Sequence, residues 1–421
     1  MLKHSLVFFT FIVSTAFSKR PNVLFIVADD LRPSLKSYGD KEAYTPHIDK
    51  LAANSFIFKN AFAQQALCAP SRNSLLTSRR PDSLHLYDFY SYWRHTVGNF
   101  TTLPQHFKEN GYYTHSVGKI FHPGKSSNFT DDFPYSWSTK TFHPKTEAYI
   151  NAKVCIGKDG QRHMNLICPV IPTYQPGGTL PDMESFAEAL RFLKYKDQIT
   201  GNRPYFLAVG FHKPHIPLKF PRWYLSWSIG EHGEFAKYSN FDVATRVPLL
   251  IHVPGLSTTE VIVEKPVELV DIFPTLVDLT QVSSSLKTCP EKASELLCTE
   301  GKSLVPFMVK KKGYKLLPSL SAFSQYPRPG PFPTNVPNSD QPRLKDIKIM
   351  GYSLRTERYR YTEWVDFSKE TFKPDWNTVY GRELYDHAID AFENHNLVDR
   401  DELKNVSKYL RNKLILGWRH V

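Results

Sequence analysis

Asn22-Val23-Leu24-Phe25-Ile26-Val27-Ala28-Asp29-Asp30 is the stretch of sequence that decides the fold class. A continuous apolar run rich in β-branched and aromatic residues predicts a strand buried in a parallel sheet. Two carboxylates follow the run directly, and open α/β sheets place their sites at the carboxyl ends of such strands. The stretch therefore predicts an α/β protein with Asp29 and Asp30 at a functional site.

The elements around this strand continue the α/β pattern as far as residue 300. Further strands are predicted at 112–117, 205–211 and 249–253, and helices at 183–193 (after Pro181-Asp182) and at 268–279, the last interrupted by Pro274. From about residue 301 Pro and Gly become frequent, and short strand-like runs follow at 347–355 and 358–364. We expect a large α/β body over 19–300 and a smaller C-terminal α+β subdomain over 301–421.

Composition excludes two classes of protein and suggests a kind of partner. Of the 421 residues, 41% are hydrophobic and 22% are charged, which excludes a disordered chain and a multispan membrane protein. The formal net charge of +12 fits a polyanionic partner such as nucleic acid, anionic lipid or acidic glycan, or serves only solubility. The cations are scattered, without an arginine-rich tract or zinc-finger spacing, so a nucleic-acid partner is disfavoured.

The first residues indicate entry into the secretory pathway. Met1-Leu2-Lys3-His4 is a short basic start, an apolar run covers 6–13, and Ala16-Phe17-Ser18 has small residues at cleavage positions. A signal peptide is therefore predicted over 1–18. No later segment reaches the length of a membrane span, so no membrane anchor is expected. Glycosylation sequons at Asn99, Asn128 and Asn405 agree with this route.

The chain has five cysteines, of which two pairs lie close in sequence. Cys155 with Cys168, and Cys289 with Cys298, would each close a short loop in an oxidising compartment. Cys68 then remains unpaired. Such a thiol is either a passive buried residue or a chemically special one, and its neighbours must decide.

The neighbours of Cys68 favour the chemically special interpretation. Cys68-Ala69-Pro70-Ser71-Arg72, followed by Ser74-Leu75-Leu76-Thr77, resembles the signature of the sulfatase family. In that signature the cysteine is oxidised to formylglycine by the formylglycine-generating enzyme during secretion. An aldehyde hydrate offers one oxygen as a nucleophile and a second to expel the sulfate. A passive core cysteine does not explain the Pro and Arg at these offsets.

The resemblance extends over most of the chain and is strongest to the iduronate-type sulfatases. The runs that carry it are 118–124 (Gly-Lys-Ile-Phe-His-Pro-Gly), 211–217 (Phe-His-Lys-Pro-His-Ile-Pro), 230–240 (Gly-Glu-His-Gly-Glu-Phe-Ala-Lys-Tyr-Ser-Asn) and 324–329 (Ser-Gln-Tyr-Pro-Arg-Pro). It implies an alkaline-phosphatase-like fold with a large mixed sheet flanked by helices. It also implies removal of 2-O-sulfate from iduronate in heparan and dermatan sulfate, with delivery to lysosomes or secretion.

The resemblance also implies a role for each site residue. Asp29, Asp30 and the modified Cys68 would be ligands of one calcium ion, whose preference for hard oxygens they match. Arg72 would hold the formylglycine hydrate. Lys119, His122, His215 and Lys237 would surround the sulfate, with His215 protonating the leaving oxygen. Fixed cations stabilise the negative charge that spreads during sulfate transfer. Taken singly, each of these residues except Cys68 fits a solvated or structural role better.

One departure from the family pattern bears on activity. Sulfatases supply a second metal-ligand pair, Asp-His or Asp-Asn before Gly, which in the iduronate type precedes the 230–240 run. That pair is absent here, which indicates a segment missing between Leu225 and Ser226, as from a skipped exon or a faulty gene model. Glu231-His232-Gly233 resembles the lost triplet chemically but matches the downstream run. Calcium is therefore expected to bind weakly.

Three functional hypotheses remain open at this point. The first is sulfate-ester hydrolysis of the iduronate type. The second is a catalytically impaired isoform or gene-model fragment that at most binds sulfated glycan, favoured by the missing ligand pair. The third is hydrolysis of another sulfate ester, or of a phosphate ester, on the same fold; the 119–122 and 237–240 stretches disfavour it.

Overall fold

The computed structural model describes residues 20–221, 237–291, 295–309 and 320–420. The predicted signal peptide, the Leu225–Ser226 junction and Glu231 lie outside these ranges. The strands are β1 (Val23–Ala28), β2 (Phe56–Phe62), β3 (Tyr113–Gly118), β4 (Cys155–Ile156), β5 (Arg162–His163), β6 (Ile167–Val170), β7 (Tyr205–Phe211), β8 (Leu218–Pro221), β9 (Arg246–Ile251), β10 (Val261–Val263), β11 (Val267–Glu268), β12 (Ala322–Arg328), β13 (Ile349–Arg355), β14 (Tyr359–Ser368) and β15 (Lys373–Asp386).

The α-helices alternate with the strands over the first part of the chain. They are α1 (Pro46–Ala52), α2 (Cys68–Thr77), α3 (Pro81–Leu84), α4 (Trp93–Thr96), α5 (Leu103–Glu109), α6 (Pro181–Lys194), α7 (Lys196–Thr200), α8 (Asp242–Thr245), α9 (Ile272–Thr280), α10 (Val305–Met308) and α11 (Lys404–Leu416). None of the described helices is both long and apolar enough to span a membrane.

A parallel sheet in the order β1-β7-β3 carries the predicted site. The strands predicted at 22–28, 112–117 and 205–211 are confirmed within a residue or two as β1, β3 and β7. The register pairs Ile26 with Val209, so both side chains point to the same face of the sheet. Helix α6, predicted from its apolar spacing, covers the β3–β7 part of that face through Phe192.

The face of β1 on the α6 side is open, which corrects the prediction of a buried strand. Leu24 is 51% exposed and Ile26 is 56% exposed. Among the described strands β1 pairs only with β7, so it forms an edge of the sheet. Phe186 and Leu190 of α6 are about as exposed as the β1 side chains. The prediction was wrong on this face because no described element covers the part of it beyond α6.

A second sheet lies in the same body, so the strands of the expected large mixed sheet are divided in two. Its order is β10-β2-β11, all parallel, and β9 pairs antiparallel with β2. The strand predicted at 249–253 begins earlier, at Arg246, and ends at Ile251. The helix predicted at 268–279 begins only at Ile272, since Glu268 belongs to β11. Pro274 lies in the first turn of α9 and does not interrupt it, because the helix needs no N–H there.

The C-terminal part forms an antiparallel sheet in the order β12-β13-β14-β15, with α11 packed on it. The strands predicted at 347–355 and 358–364 are confirmed as β13 and β14. This sheet contacts the body, since Gln325 N–H donates to the carbonyl of Gln64 at 2.8 Å. The division of the chain at residue 300 stays a prediction.

Both expected disulfides are present, Cys155–Cys168 and Cys289–Cys298, and Cys68 is the free cysteine. The sequon residues Asn99, Asn128 and Asn405 are all exposed, so each side chain is accessible to modification. Their glycosylation stays a prediction.

Candidate functional site

The carboxyl ends of the parallel strands bring the predicted residues to one edge of the sheet. Asp29 and Asp30 follow β1, Lys119 follows β3, and the loop with His215 follows β7. Because parallel strands end at the same edge, side chains far apart in sequence meet there. Helix α2 delivers Cys68 to the same place from outside the sheet.

Cys68 is the first residue of α2 and lies buried among cations. Its Sγ is 3.0 Å from Lys237 Nζ, 3.9 Å from Lys119 Nζ and 3.7 Å from Asp29 Oδ1. Burial alone would raise the pKa of the thiol, but Lys237 and hydrogen bonds from His122 and His215 outweigh it. The pKa of Cys68 therefore lies well below its usual value.

Arg72, one turn further along α2, connects the helix to the β1 and β3 ends. Its Nη1 donates to the carbonyls of Lys119 and Ile120 at 2.5 and 2.8 Å, and its Nη2 donates to Asp29 Oδ1 at 2.8 Å. Lys119 Nζ donates to Asp29 Oδ2 at 2.5 Å. Burial would raise the pKa of Asp29, but Arg72 and Lys119 hold it well below its usual value.

A pair of glycines allows the turn that aims Lys119 into the site. Gly118 has a φ of +69°, and a Cβ there would lie 2.2 Å from the carbonyl oxygen of Gly210. A Cβ on Gly210 would in turn lie 2.0 Å from the carbonyl oxygen of Lys119. Both residues must lack a side chain for β3 and β7 to approach this closely.

Asp30 and Lys237 form the other side of the site, with His215 above them. Lys237 Nζ donates to Asp30 Oδ1, while Nε2 of His215 lies 3.8 Å from Asp30 Oδ2 and 4.0 Å from Asp29 Oδ2. The pKa of Asp30 is raised, because burial and the neighbouring Cys68 outweigh the attraction of Lys237.

His122 borders the site on the side of Phe89, with ring centroids 4.5 Å apart. Its pKa is lowered, mainly by burial and against the effect of its hydrogen bond to Cys68. A neutral imidazole can donate or accept a proton near neutral pH. All the predicted catalytic and metal residues therefore come together, although the role of each stays a prediction.

Two carboxylates that the sequence analysis did not assign to the site hold the His215 loop. Asp182, in the first turn of α6, accepts hydrogen bonds from the backbone N–H groups of His212 and Lys213 at 2.7 and 3.0 Å. The side chain of His212 lies between Asp182 and Glu147, at 3.3 and 3.1 Å. Pro181-Asp182 was visible as a helix start, but nothing in the sequence pairs it with residue 212.

The site provides an acidic cluster that could hold a metal ion. Ligand atoms of Asp29, Asp30, Cys68 and His215 all lie within 4.8 Å of one another. The hard oxygens suit calcium in kind but not in number, since calcium takes about six to eight. Arg72 and Lys119 already occupy both oxygens of Asp29. The described residues therefore supply only part of a calcium shell.

A buried cysteine at a helix start, ringed by lysines and acids at the carboxyl ends of parallel strands, defines the class of protein. The family model "Sulfatase" matches residues 21–232. The chain belongs to the sulfatase family, and its fold is alkaline-phosphatase-like. The phosphonate monoester hydrolase of Agrobacterium radiobacter has a TM-score of 0.67 to this chain at 18% identity, covering 95% of this chain and 96% of its own.

Two curated relatives show which kind of sulfatase this chain resembles. Iduronate 2-sulfatase of Homo sapiens is 41% identical and that of Mus musculus 40% identical, each covering 89% of this chain and 90% of the relative. The human alignment runs over 505 positions, whereas 89% of 421 residues is about 375, so about 130 positions have no counterpart here. This difference supports the predicted loss of a segment, while its place at Leu225–Ser226 stays a prediction.

Proposed function

We propose that this chain hydrolyses the 2-O-sulfate of iduronate residues in heparan and dermatan sulfate. The observation that carries the proposal is the pair of ammonium groups, from Lys119 and Lys237, within 3.9 Å of Cys68 Sγ. Cations fixed around a nucleophile stabilise the charge that a sulfate ester develops during transfer. The identity of 41% to human iduronate 2-sulfatase supports the choice of substrate.

In this proposal each residue acts from the position described above. Cys68, converted to formylglycine by the formylglycine-generating enzyme, is the nucleophile as its hydrate, and Arg72 orients it. Lys119, His122 and Lys237 bind the sulfate oxygens. His215 gives a proton to the departing sugar oxygen, a role open to an imidazole whose side chain is 32% exposed.

Calcium would be held by Asp29, Asp30 and the modified Cys68. When bound, it would polarise the sulfate and favour the ionised form of the nucleophile. Since Arg72 and Lys119 neutralise Asp29, binding of the ion must compete with these pairs. We expect calcium affinity to be low in this chain.

The proposed place of action is the secretory pathway, with delivery to lysosomes or secretion. The disulfides Cys155–Cys168 and Cys289–Cys298 support an oxidising compartment. Such a route also gives access to the formylglycine-generating enzyme and to sulfated glycosaminoglycans.

A second candidate function is binding of sulfated glycan without turnover. The incomplete metal shell and the roughly 130 unmatched positions of the human relative favour it. In that case Lys119 and Lys237 would still hold a sulfate, because the carboxylates of Asp29 and Asp30, rather than an ion, position their ammonium groups.

The deciding experiment measures sulfate release from a fluorogenic 2-O-sulfated iduronide by the purified secreted chain. Cys68→Ala is the matched control, and mass spectrometry of the Cys68 peptide shows whether formylglycine is present. Release above the control supports hydrolysis and removes the binding-only candidate. No release from a folded chain that carries formylglycine overturns hydrolysis. Retention of the iduronide by Cys68→Ala but not by Lys119→Ala would then establish binding.

A further inference from the structure

A cavity of about 490 Å³ lies between α11 and the C-terminal half of β15, in the C-terminal sheet. Cationic side chains line it: Arg382 from β15, and Lys404, Lys408 and Arg411 from α11. Asp399 is an acidic group on the same wall. Lys404 is paired with Asp401 at 2.7 Å, but the lining still has more cations than acids, so the cavity favours an anionic ligand.

A buried carboxylate orients the two arginines of this cavity. Glu363 is fully buried, and its Oε1 accepts hydrogen bonds from Nε of Arg382 at 2.7 Å and Nε of Arg411 at 2.8 Å. Arg411 also donates one terminal nitrogen to the carbonyl of Trp376 at 2.9 Å. Both guanidinium groups are therefore held in place before any ligand arrives, which lowers the entropic cost of binding.

Each of these arginines keeps part of its guanidinium group accessible to a ligand. Arg382 hydrogen-bonds Glu363 and Tyr361, and its side chain is 46% exposed. Arg411 keeps one terminal nitrogen free of described acceptors, with 31% of its side chain exposed. Planar guanidinium donors of this kind match the oxygens of a sulfate or phosphate group.

Two further side chains complete the wall. Lys408 is exposed and forms no ion pair with a carboxylate of the described residues, although Asp399 lines the same cavity. Ser407 lines the same cavity, and its buried Oγ has no hydrogen-bond partner. A buried hydroxyl without a partner costs stability unless a ligand or water satisfies it. The cavity therefore combines fixed donors, a free ammonium and an unsatisfied hydroxyl.

We propose that this cavity is a second binding site for a sulfo group of the glycan, separate from the Cys68 site. This inference takes the class of glycan from the proposed function, but it does not require that the chain hydrolyses that glycan. The exposed sequon residue Asn405 lines a different cavity, on the Thr356–Tyr359 side of α11.

The test compares Lys408→Glu with Lys158→Glu in the full chain. Lys158 is equally exposed and lies in the turn between β4 and β5, so the control makes the same charge change elsewhere. The probe is a heparin-derived decasaccharide, with binding measured by fluorescence anisotropy at fixed salt. Reversing one contacting charge is expected to weaken binding on the order of fivefold in Lys408→Glu. The affinity of Lys158→Glu for the decasaccharide should stay within about twofold of the parent's.

Hydrolysis of the small iduronide is measured on the same proteins, so the two proposals fail separately. Equal decasaccharide binding by Lys408→Glu and Lys158→Glu overturns the second site, whatever the hydrolysis result. Loss of binding in Lys408→Glu alone supports it, even if no variant releases sulfate. Three competitors are compared: inorganic phosphate, inorganic sulfate and unlabelled decasaccharide. If all three displace the labelled decasaccharide equally well, the cavity is a general small-anion site, and the glycan assignment is overturned.

Discussion

The open face of β1 predicts that two paired residues of one sheet differ sharply in their tolerance of a hydroxyl group. Ile26 and Val209 are register partners on the same face, yet Ile26 is 56% exposed and Val209 only 3%. Replacing each by Thr keeps a β-branched side chain, so strand propensity changes little. Ile26→Thr also removes one methylene group, so the larger chemical change falls at the exposed position and burial must account for a greater cost at Val209.

The expected magnitudes follow from exposure. Full burial of an isoleucine side chain stabilises a protein by about 1.5–3 kcal/mol, so a half-exposed one contributes about half of that. Threonine retains part of the apolar surface, and Ile26→Thr should lower the free energy of unfolding by less than about 1 kcal/mol. Val209→Thr buries a hydroxyl without an assured partner and should cost about 1–3 kcal/mol.

Urea unfolding followed by circular dichroism measures both variants against the parent. The slope of the free energy of unfolding against urea concentration should be equal in all three proteins, so that their midpoints report differences in stability alone. A cost for Ile26→Thr as large as that for Val209→Thr would refute the reasoning. It would show that the α6 side of β1 is covered in solution.

Three further predictions concern the site and its supports. Arg72→Met removes one of the two cations paired with the buried Asp29 and leaves Lys119 in place, so it should cost about 1.5–3 kcal/mol in urea unfolding; under about 1 kcal/mol would contradict the pairing. Hydrogen bonds to Asp131 and Glu147 raise the pKa of His143 to about 10, so its contribution to folding stability is complete below about pH 6.5 and is lost as pH rises toward 10. The melting temperature of the parent should therefore fall between these pH values, and His143→Gln should make that fall smaller. Replacing Cys155 and Cys168 together removes a disulfide that joins residues 13 positions apart, and should cost about 2–4 kcal/mol in the same urea assay. An unchanged midpoint would show that the bond is absent in solution.

The parts predictable from sequence are those with local signals. The β1, β3 and β7 strands and helix α6 follow from apolar periodicity, and Cys68 from its signature. The start of α9 was predicted too early, because the 267–268 strand and a short turn precede it without a break in apolar character. Local sequence patterns cannot show where one apolar element ends and the next begins.

The contacts that depend on tertiary structure could not be predicted. Asp182 and His212 are 30 residues apart, and their hydrogen bond arises only because α6 begins beside the end of β7. The exposure of Ile26 was missed for a similar reason. A continuous apolar run predicts that both faces are covered, but coverage depends on elements elsewhere in the chain.

The open face of β1 and the incomplete calcium shell have a common explanation. β1 is the edge of the described parallel sheet, and it also carries Asp29 and Asp30 at its carboxyl end. A further strand beside β1 would pair with this edge, would place side chains next to Ile26, and would end next to these carboxylates, where a second ligand pair is expected. Cys68, Lys119 and His215 are placed instead by α2, β3 and β7, and Lys119 and Lys237 also pair with Asp29 and Asp30. A chain that lacks one strand can therefore keep these cations in place through their carboxylate pairs while its hold on a metal ion is weakened.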